Sequence, residues 1–125
     1  MVKAIYTNNA PDAIGPYSQA IQAGDFVYIS GQIGLNPETG ELEDGIENQT
    51  RQVLKNLQAI LTEAGADFSK VVKFTIYVAS MDDFATVNEI YGSYLSQPYP
   101  ARATVEVSQL PKGARIEMDA IVHKD

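Results

Sequence analysis

Residues 46–64 carry a strong helical period. Val53, Leu54, Leu57, Ile60, Leu61 and Ala64 fall at i, i+1, i+4, i+7, i+8 and i+11, one apolar stripe of a 3.6-residue helix. Gly65 follows where a helix commonly ends on a left-handed residue. A second stretch, about 82–96, sets Phe84, Val87, Tyr91 and Leu95 along another stripe, with Ser80 or Asp82 as N-cap candidates. Helices striped on one side need a broad apolar surface to cover.

Period-two segments supply that surface. Residues 2–6, 17–23, 25–31, 70–80, 102–107 and 115–122 read as strands, with Ala23-Gly24-Asp25 as a tight turn between the second and third. Within 70–80, Val72, Phe74, Ile76 and Val78 share one face and Lys73, Thr75 and Tyr77 the other. Within 115–122, Ile116, Met118, Ala120 and Val122 oppose Arg115, Glu117, Asp119 and Ile121. The order β-β-β-α-β-α-β-β predicts one α+β domain over 1–125. It is a two-layer sandwich in which two helices cover one face of a mostly antiparallel sheet.

The other face has no helices to cover it, yet Phe26, Tyr28, Tyr77 and Ile121 contribute apolar surface there. That predicts burial against further copies of the chain. If 102–107 and 115–122 pair across the "SQLPKGA" connection, Arg102 lies near residues 119–121. A one-residue change of register then decides whether it shares a face with Glu117.

Composition narrows the function. The 125 residues contain no cysteine, which excludes disulfides and thiol catalysis and fits a reducing cytoplasm. The N-terminus shows no signal-peptide pattern, and no apolar run approaches the roughly 20 residues that span a bilayer. Nine basic residues among sixteen acidic ones, for a net charge of -7, make a nucleic acid a poor partner. His123 is the one histidine, so no metal site is signalled, and Ser18 and Ser30 lack a histidine base. No glycine-rich phosphate loop is present. There remains Arg102, at the start of "RATVEV". It is a solvated edge charge, a structural partner of Glu106, Glu117 or Asp119, or a fork for an anionic ligand.

Six segments occur in order: "GPYSQAI" (15–21), "ISGQI" (29–33), "NLQAIL" (56–61), "DFATVNEIY" (83–91), "YPARATVEV" (99–107) and "LPKGARIEMDAIV" (110–122). Together they resemble the Rid family of enamine and imine deaminases, and within it the RidA branch, over essentially the whole chain. The resemblance implies a chorismate-mutase-like subunit, a homotrimer with sites between subunits, and no cofactor. It implies hydrolysis of reactive 2-imino acids, such as 2-iminobutanoate and the imine of 2-aminoacrylate, to 2-keto acids and ammonia. By motif, Arg102 matches the arginine that binds the substrate carboxylate, and Glu117 the acid that holds or activates water. Tyr17, Ser30, Gly31 and Asn88 match residues lining the cleft. Thr104 stands where many RidA members have cysteine, which removes a modifiable thiol. Two other readings are a non-catalytic binder of small 2-keto acids and a ribonuclease or translation inhibitor.

Overall fold

A computed structural model describes residues 2–125. Six strands, β1 (Val2–Ile5), β2 (Ala20–Ala23), β3 (Phe26–Ile33), β4 (Val71–Val78), β5 (Ala101–Glu106) and β6 (Ile116–His123), form one sheet in the order β1-β2-β3-β6-β4-β5. Helices α1 (Gly45–Glu63) and α2 (Phe84–Ser93) pack on one face. This is the expected α+β two-layer arrangement, and every strand pair except β4–β5 is antiparallel.

The expected stripe of α1 is buried from Val53 to Ala64. The helix closes as a Schellman motif: Ala66 N–H donates to the Leu61 carbonyl, Gly65 N–H donates to Thr62, and Gly65 has φ +79°. The α2 helix is shorter than its stripe suggests. A single 3₁₀ turn over 81–83 precedes it, and the Ser80 hydroxyl caps that turn by accepting from Asp82 N–H at 3.1 Å. The second strand likewise begins at Ala20 rather than 17, because residues 15–18 form a bent loop.

Three differences from the sequence reading shape the site. The first is the place of β5. It forms no hairpin with β6 but lies parallel to β4 at the sheet edge, with Arg102 opposite Phe74 and Thr104 opposite Ile76. A parallel pair needs a crossover, and α2 supplies it between β4 and β5. The slot between β3 and β4 is then filled by β6, antiparallel to both.

The second difference is a bulge in β4. Val71 pairs with Val122 and Lys73 with Ile121, so β4 spends one extra residue. Val71 enters the core in place of the expected Val72, which is 43% exposed. The third is a bulge in β3: Ile29 pairs with Ala120 and Gln32 with Met118, which leaves Ser30 and Gly31 in the bulge.

Three buried polar side chains, Asn56, Gln49 and Gln19, tie other segments to this core, and a fourth, Thr50, bonds within α1. Asn56 on α1 donates to the carbonyls of Ile33 and Leu35 at 3.2 and 3.0 Å, and Thr50 donates to Ile46 within the helix. Gln49 accepts from Arg115 N–H at 2.8 Å. Gln19, 2% exposed, accepts from Thr7 N–H at 2.8 Å and donates to the carbonyls of Thr7 and Pro11 at 3.0 and 2.9 Å. It fastens the loop 7–11 beneath the Tyr17 segment. Gln19→Ala leaves those backbone groups unpaired and should cost about 2–4 kcal/mol. A urea titration should show a lower midpoint with an unchanged slope.

Candidate functional site

The sheet alternation divides the candidate residues between two faces. Ile116, Met118, Ala120 and Val122 of β6 face the helices and are buried. Glu117 and Asp119 therefore face the open side, level with Tyr77 and Thr75 of β4. Arg102 and Thr104 of β5 lie level with the buried Phe74 and Ile76, so they belong to the helix side. Within one subunit, Arg102 and Glu117 stand on opposite faces of the sheet.

Each lies in its own cleft. The first, about 390 Å³, is lined by Glu117 with Tyr17, Gly31, Ile14, Leu35 and Lys112 among others. The β3 bulge builds its wall. Ser30 N–H donates to the Gln19 carbonyl at 2.9 Å, and the Ser30 hydroxyl donates to the Ser18 carbonyl at 2.6 Å. Ser30 thus ties the bulge to the segment leading into β2, and its hydroxyl is committed to that bond. A Cβ on Gly31 would lie 2.1 Å from Glu117 Oε2 and 2.9 Å from Cδ, so the bare glycine is what admits the carboxylate. Tyr17, 53% exposed, stands on the bent loop after Gly15, whose φ is +123°.

Burial, then the charge of Asp119, pushes the Glu117 carboxyl above its ordinary value. Tyr77 donates its hydroxyl to Asp119 Oδ2 at 2.9 Å, and that bond raises the Tyr77 hydroxyl in turn.

The second cleft, about 440 Å³, is lined by Asn88, Tyr91, Gly92, Tyr99, Pro100 and Arg102. Arg102 Nη1 donates to Asn88 Oδ1 at 2.6 Å. No carboxylate lies within ion-pair reach of Arg102 among the described residues, and Glu106 instead accepts from Met81 N–H at 2.8 Å. Thr104 is half-buried two residues on, and its Oγ1 has no hydrogen-bond partner within the chain.

The structure thus brings Tyr17, Ser30, Gly31 and Glu117 together on one side and Asn88, Arg102 and Thr104 together on the other. Sequence reasoning passed over Lys112 and Tyr99. Lys112 has φ 57°, a left-handed conformation unusual for a residue with a side chain. Its one sequence signal is its place in the Pro-Lys-Gly turn. His123 ends β6 and packs edge-on against Phe26, with ring centroids 4.9 Å apart. No group of three or more metal-ligating side chains occurs among the described residues, and no helix among them is long and apolar enough to cross a membrane.

The α+β domain thus presents two open clefts, one holding a guanidinium without a counter-ion and the other a partly buried carboxylate. Comparison with known proteins gives the family. The family model described as Endoribonuclease L-PSP matches residues 7–124. The chain is 52% identical over 120 residues to the 2-iminobutanoate/2-iminopropanoate deaminase of Mus musculus, covering 95% of this chain and 89% of that one. The crystal structure of RidA from the Antarctic bacterium Psychrobacter superposes with a TM-score of 0.95 at 47% identity, covering 97% of this chain and 98% of that one. That of E. coli TdcF with bound serine superposes with a TM-score of 0.95 at 39% identity, covering 98% and 99%. The chain belongs to the Rid (YjgF) family.

The raised carboxyl of Glu117 has a consequence for stability. The folded state holds this proton more tightly than the unfolded chain does, whose ordinary value is 4.5. The contribution to stability is therefore complete below that value and is lost as pH rises through the folded pKa. Glu117→Gln cannot ionise, and Glu117 makes no hydrogen bond to another residue that the change would break. The variant and the wild type should melt alike near pH 4, and the variant should melt higher at pH 7–8. Thermal unfolding at the two pH values checks this.

Proposed function

We propose that the protein hydrolyses small 2-imino acids to 2-keto acids and ammonia, at sites that pair Arg102 of one subunit with Glu117 of another. The carrying observation is that these two groups stand on opposite faces of the sheet, each in an open cleft, the cation without a counter-ion. Arg102 lies on the edge strand β5, so a copy whose β5 edge abuts the open sheet face of its neighbour can bring the two clefts together. Phe26, Tyr28 and Val105, each at least 39% exposed, give that face the apolar surface such an interface uses. A homotrimer is the assembly the family resemblance implies.

The reaction needs little machinery. Arg102 presents two parallel N–H donors to the substrate carboxylate and holds the adjacent C=N carbon in place. With the imine nitrogen protonated, water adds to the C=N carbon, the π electrons pass to nitrogen and the Glu117 carboxylate takes the water's proton, giving a neutral carbinolamine. Glu117 then returns that proton to nitrogen; as the C–N bond breaks the hydroxyl closes to the carbonyl and its proton goes to the departing ammonia, giving the 2-keto acid and ammonium. Burial raises the Glu117 carboxyl above its ordinary value, the direction that favours such exchange. Tyr17 and Gly31 wall the Glu117 cleft, Ser30 shapes it, and Asn88 and Thr104 flank the arginine. An enamine such as 2-aminoacrylate enters after tautomerising to its imine, so the activity would remove reactive products released by amino-acid-metabolising enzymes.

Two relatives support this reading. The mouse relative is named for this reaction, and TdcF was solved with serine, whose carboxylate and adjacent nitrogen share the head group of a 2-imino acid. RNA cleavage, the activity in the family model's name, calls for a basic track along the phosphates. Sixteen acidic residues against nine basic ones disfavour it.

The test generates 2-iminobutanoate with a pyridoxal-phosphate dehydratase and follows 2-oxobutanoate release. Wild-type protein should accelerate release. Arg102→Ala and Glu117→Gln should each lower kcat/KM about 100-fold or more. Mixed, unfolded and refolded together, the two inactive variants should recover about one quarter of wild-type activity. Random assortment leaves about one interface in four with both groups intact. Absence of acceleration by the wild type sinks the deaminase reading. Saturable 2-oxobutanoate binding without turnover would favour the keto-acid binder. A mixture that stays inactive sinks the shared site.

A further inference from the structure

The fold treats two of its arginines differently. Arg115 Nη2 lies 2.9 and 3.0 Å from the two carboxylate oxygens of Asp83, so its charge is answered by another charge. Arg102 is answered by α2 alone. Its Nη1 donates to Asn88 Oδ1 at 2.6 Å, and its Cζ lies 5.6 Å from the Phe84 ring centroid and 5.1 Å from that of Tyr91. Residues 84, 88 and 91 fall at i, i+4 and i+7, one face of the helix.

We propose that Phe84, Asn88 and Tyr91 form an uncharged cradle that fixes the Arg102 guanidinium without neutralising it, with the ring of Tyr91 as its main positioning element. The proposal rests on the reading of Arg102 as the carboxylate anchor.

An anchor must be in place before its ligand arrives, and a free arginine side chain has many rotamers to lose. A carboxylate would hold it, but would occupy the fork that the ligand needs. Aromatic faces and an amide oxygen attract a cation while leaving its charge uncancelled. Tyr91 suits the part because it cannot swing. It is 5% exposed and packs edge-on against Phe74, with ring centroids 5.4 Å apart. Phe74 is fully buried and is the register partner of Arg102 on the neighbouring strand. The ring is therefore held between the core and the cation. Phe84 is only half-buried and less constrained. Tyr91 also lines the Arg102 cleft, so a side chain that the helix stripe identifies as core is at the same time a wall of the site. The Tyr91 hydroxyl is buried with no partner in the chain, so the packing and the cation contact both belong to the ring.

The test uses the full chain carrying Tyr91→Leu or Tyr91→Phe. Size and circular dichroism confirm fold and assembly. Three readouts follow: 2-oxobutanoate affinity by calorimetry, KM and kcat in the imine assay, and ¹⁵N relaxation of the Arg102 side chain without ligand. Tyr91→Leu should weaken 2-oxobutanoate binding and raise KM about 5- to 30-fold, with kcat changed less. The Arg102 side chain should become more mobile. Tyr91→Phe should stay within about 2-fold of wild type in each. A folded Tyr91→Leu with wild-type affinity and an equally ordered Arg102 overturns the proposal. So does a Tyr91→Phe variant as impaired as Tyr91→Leu. Should Tyr91→Leu fail to fold, Phe84→Leu takes its place; a smaller loss in the same direction supports the cradle, and no change overturns it. Wild-type protein that binds 2-oxobutanoate but hydrolyses no imine overturns the deaminase reading and leaves the cradle standing. Imine hydrolysis unaffected by Tyr91→Leu does the reverse. Wild-type protein that binds no carboxylate overturns both.

Discussion

Strand β6 is the constraint on which the rest depends. It is hydrogen-bonded on both sides, to β3 and to β4, so its alternation cannot slip without breaking two ladders. Four of its residues, Ile116, Met118, Ala120 and Val122, complete the core beneath the helices. Geometry then obliges Glu117 and Asp119 to face the other way. The charge of Asp119 and the burial that raises the Glu117 carboxyl both follow from that placement. A carboxylate on an edge strand would keep more of its water; one on the central strand loses part of it.

The two bulges adjust this frame without disturbing it. In β3 the extra residue makes room for Ser30 and Gly31 while Gln32 returns to the buried side. A strand without the bulge would bring the 29–33 segment past Glu117 in regular alternation. The bulged one sets a residue without a side chain against the carboxylate. In β4 the extra residue lies at the opposite end, near Val71, far along the strand from Tyr77 and Glu117. Bulges are favoured beside sites because they re-aim side chains locally while the neighbouring ladder persists.

The legible parts of this structure are those governed by a local period. The α1 stripe, Gly65 at its end, the Gly24 turn and the inner face of β6 follow from spacing alone. The bulges do not, because one residue out of period reads as noise; hence Val72 stood in the sequence reading where Val71 stands in the core. The partner of β5 was hidden for another reason. Residues 102–107 and 115–122 are close in sequence, which favours a hairpin, whereas the long crossover through α2 decides for β4. Gln19, Gln49 and Asn56 are buried because each meets backbone groups of a distant segment, which composition cannot show. The candidate site was legible as residue types through the ordered motifs. Its division between two faces needed the strand order.

That division has a physical logic of its own. Were Arg102 and Glu117 on one face of one subunit, the nearest anion to the guanidinium would be the carboxylate itself. A close ion pair would draw the Glu117 proton affinity down and occupy the fork of the arginine. Opposite faces keep the two groups apart in each chain. Glu117 keeps the raised carboxyl that burial gives it, and Arg102 keeps an uncancelled charge against neutral partners. On the proposed reading, assembly brings them to one cleft across an interface, at a separation set by packing between subunits. A substrate carboxylate can then take the arginine, and its imine carbon can face the acid. In that proposed assembly the exposed apolar side of the sheet, a liability in a lone subunit, would make the meeting favourable.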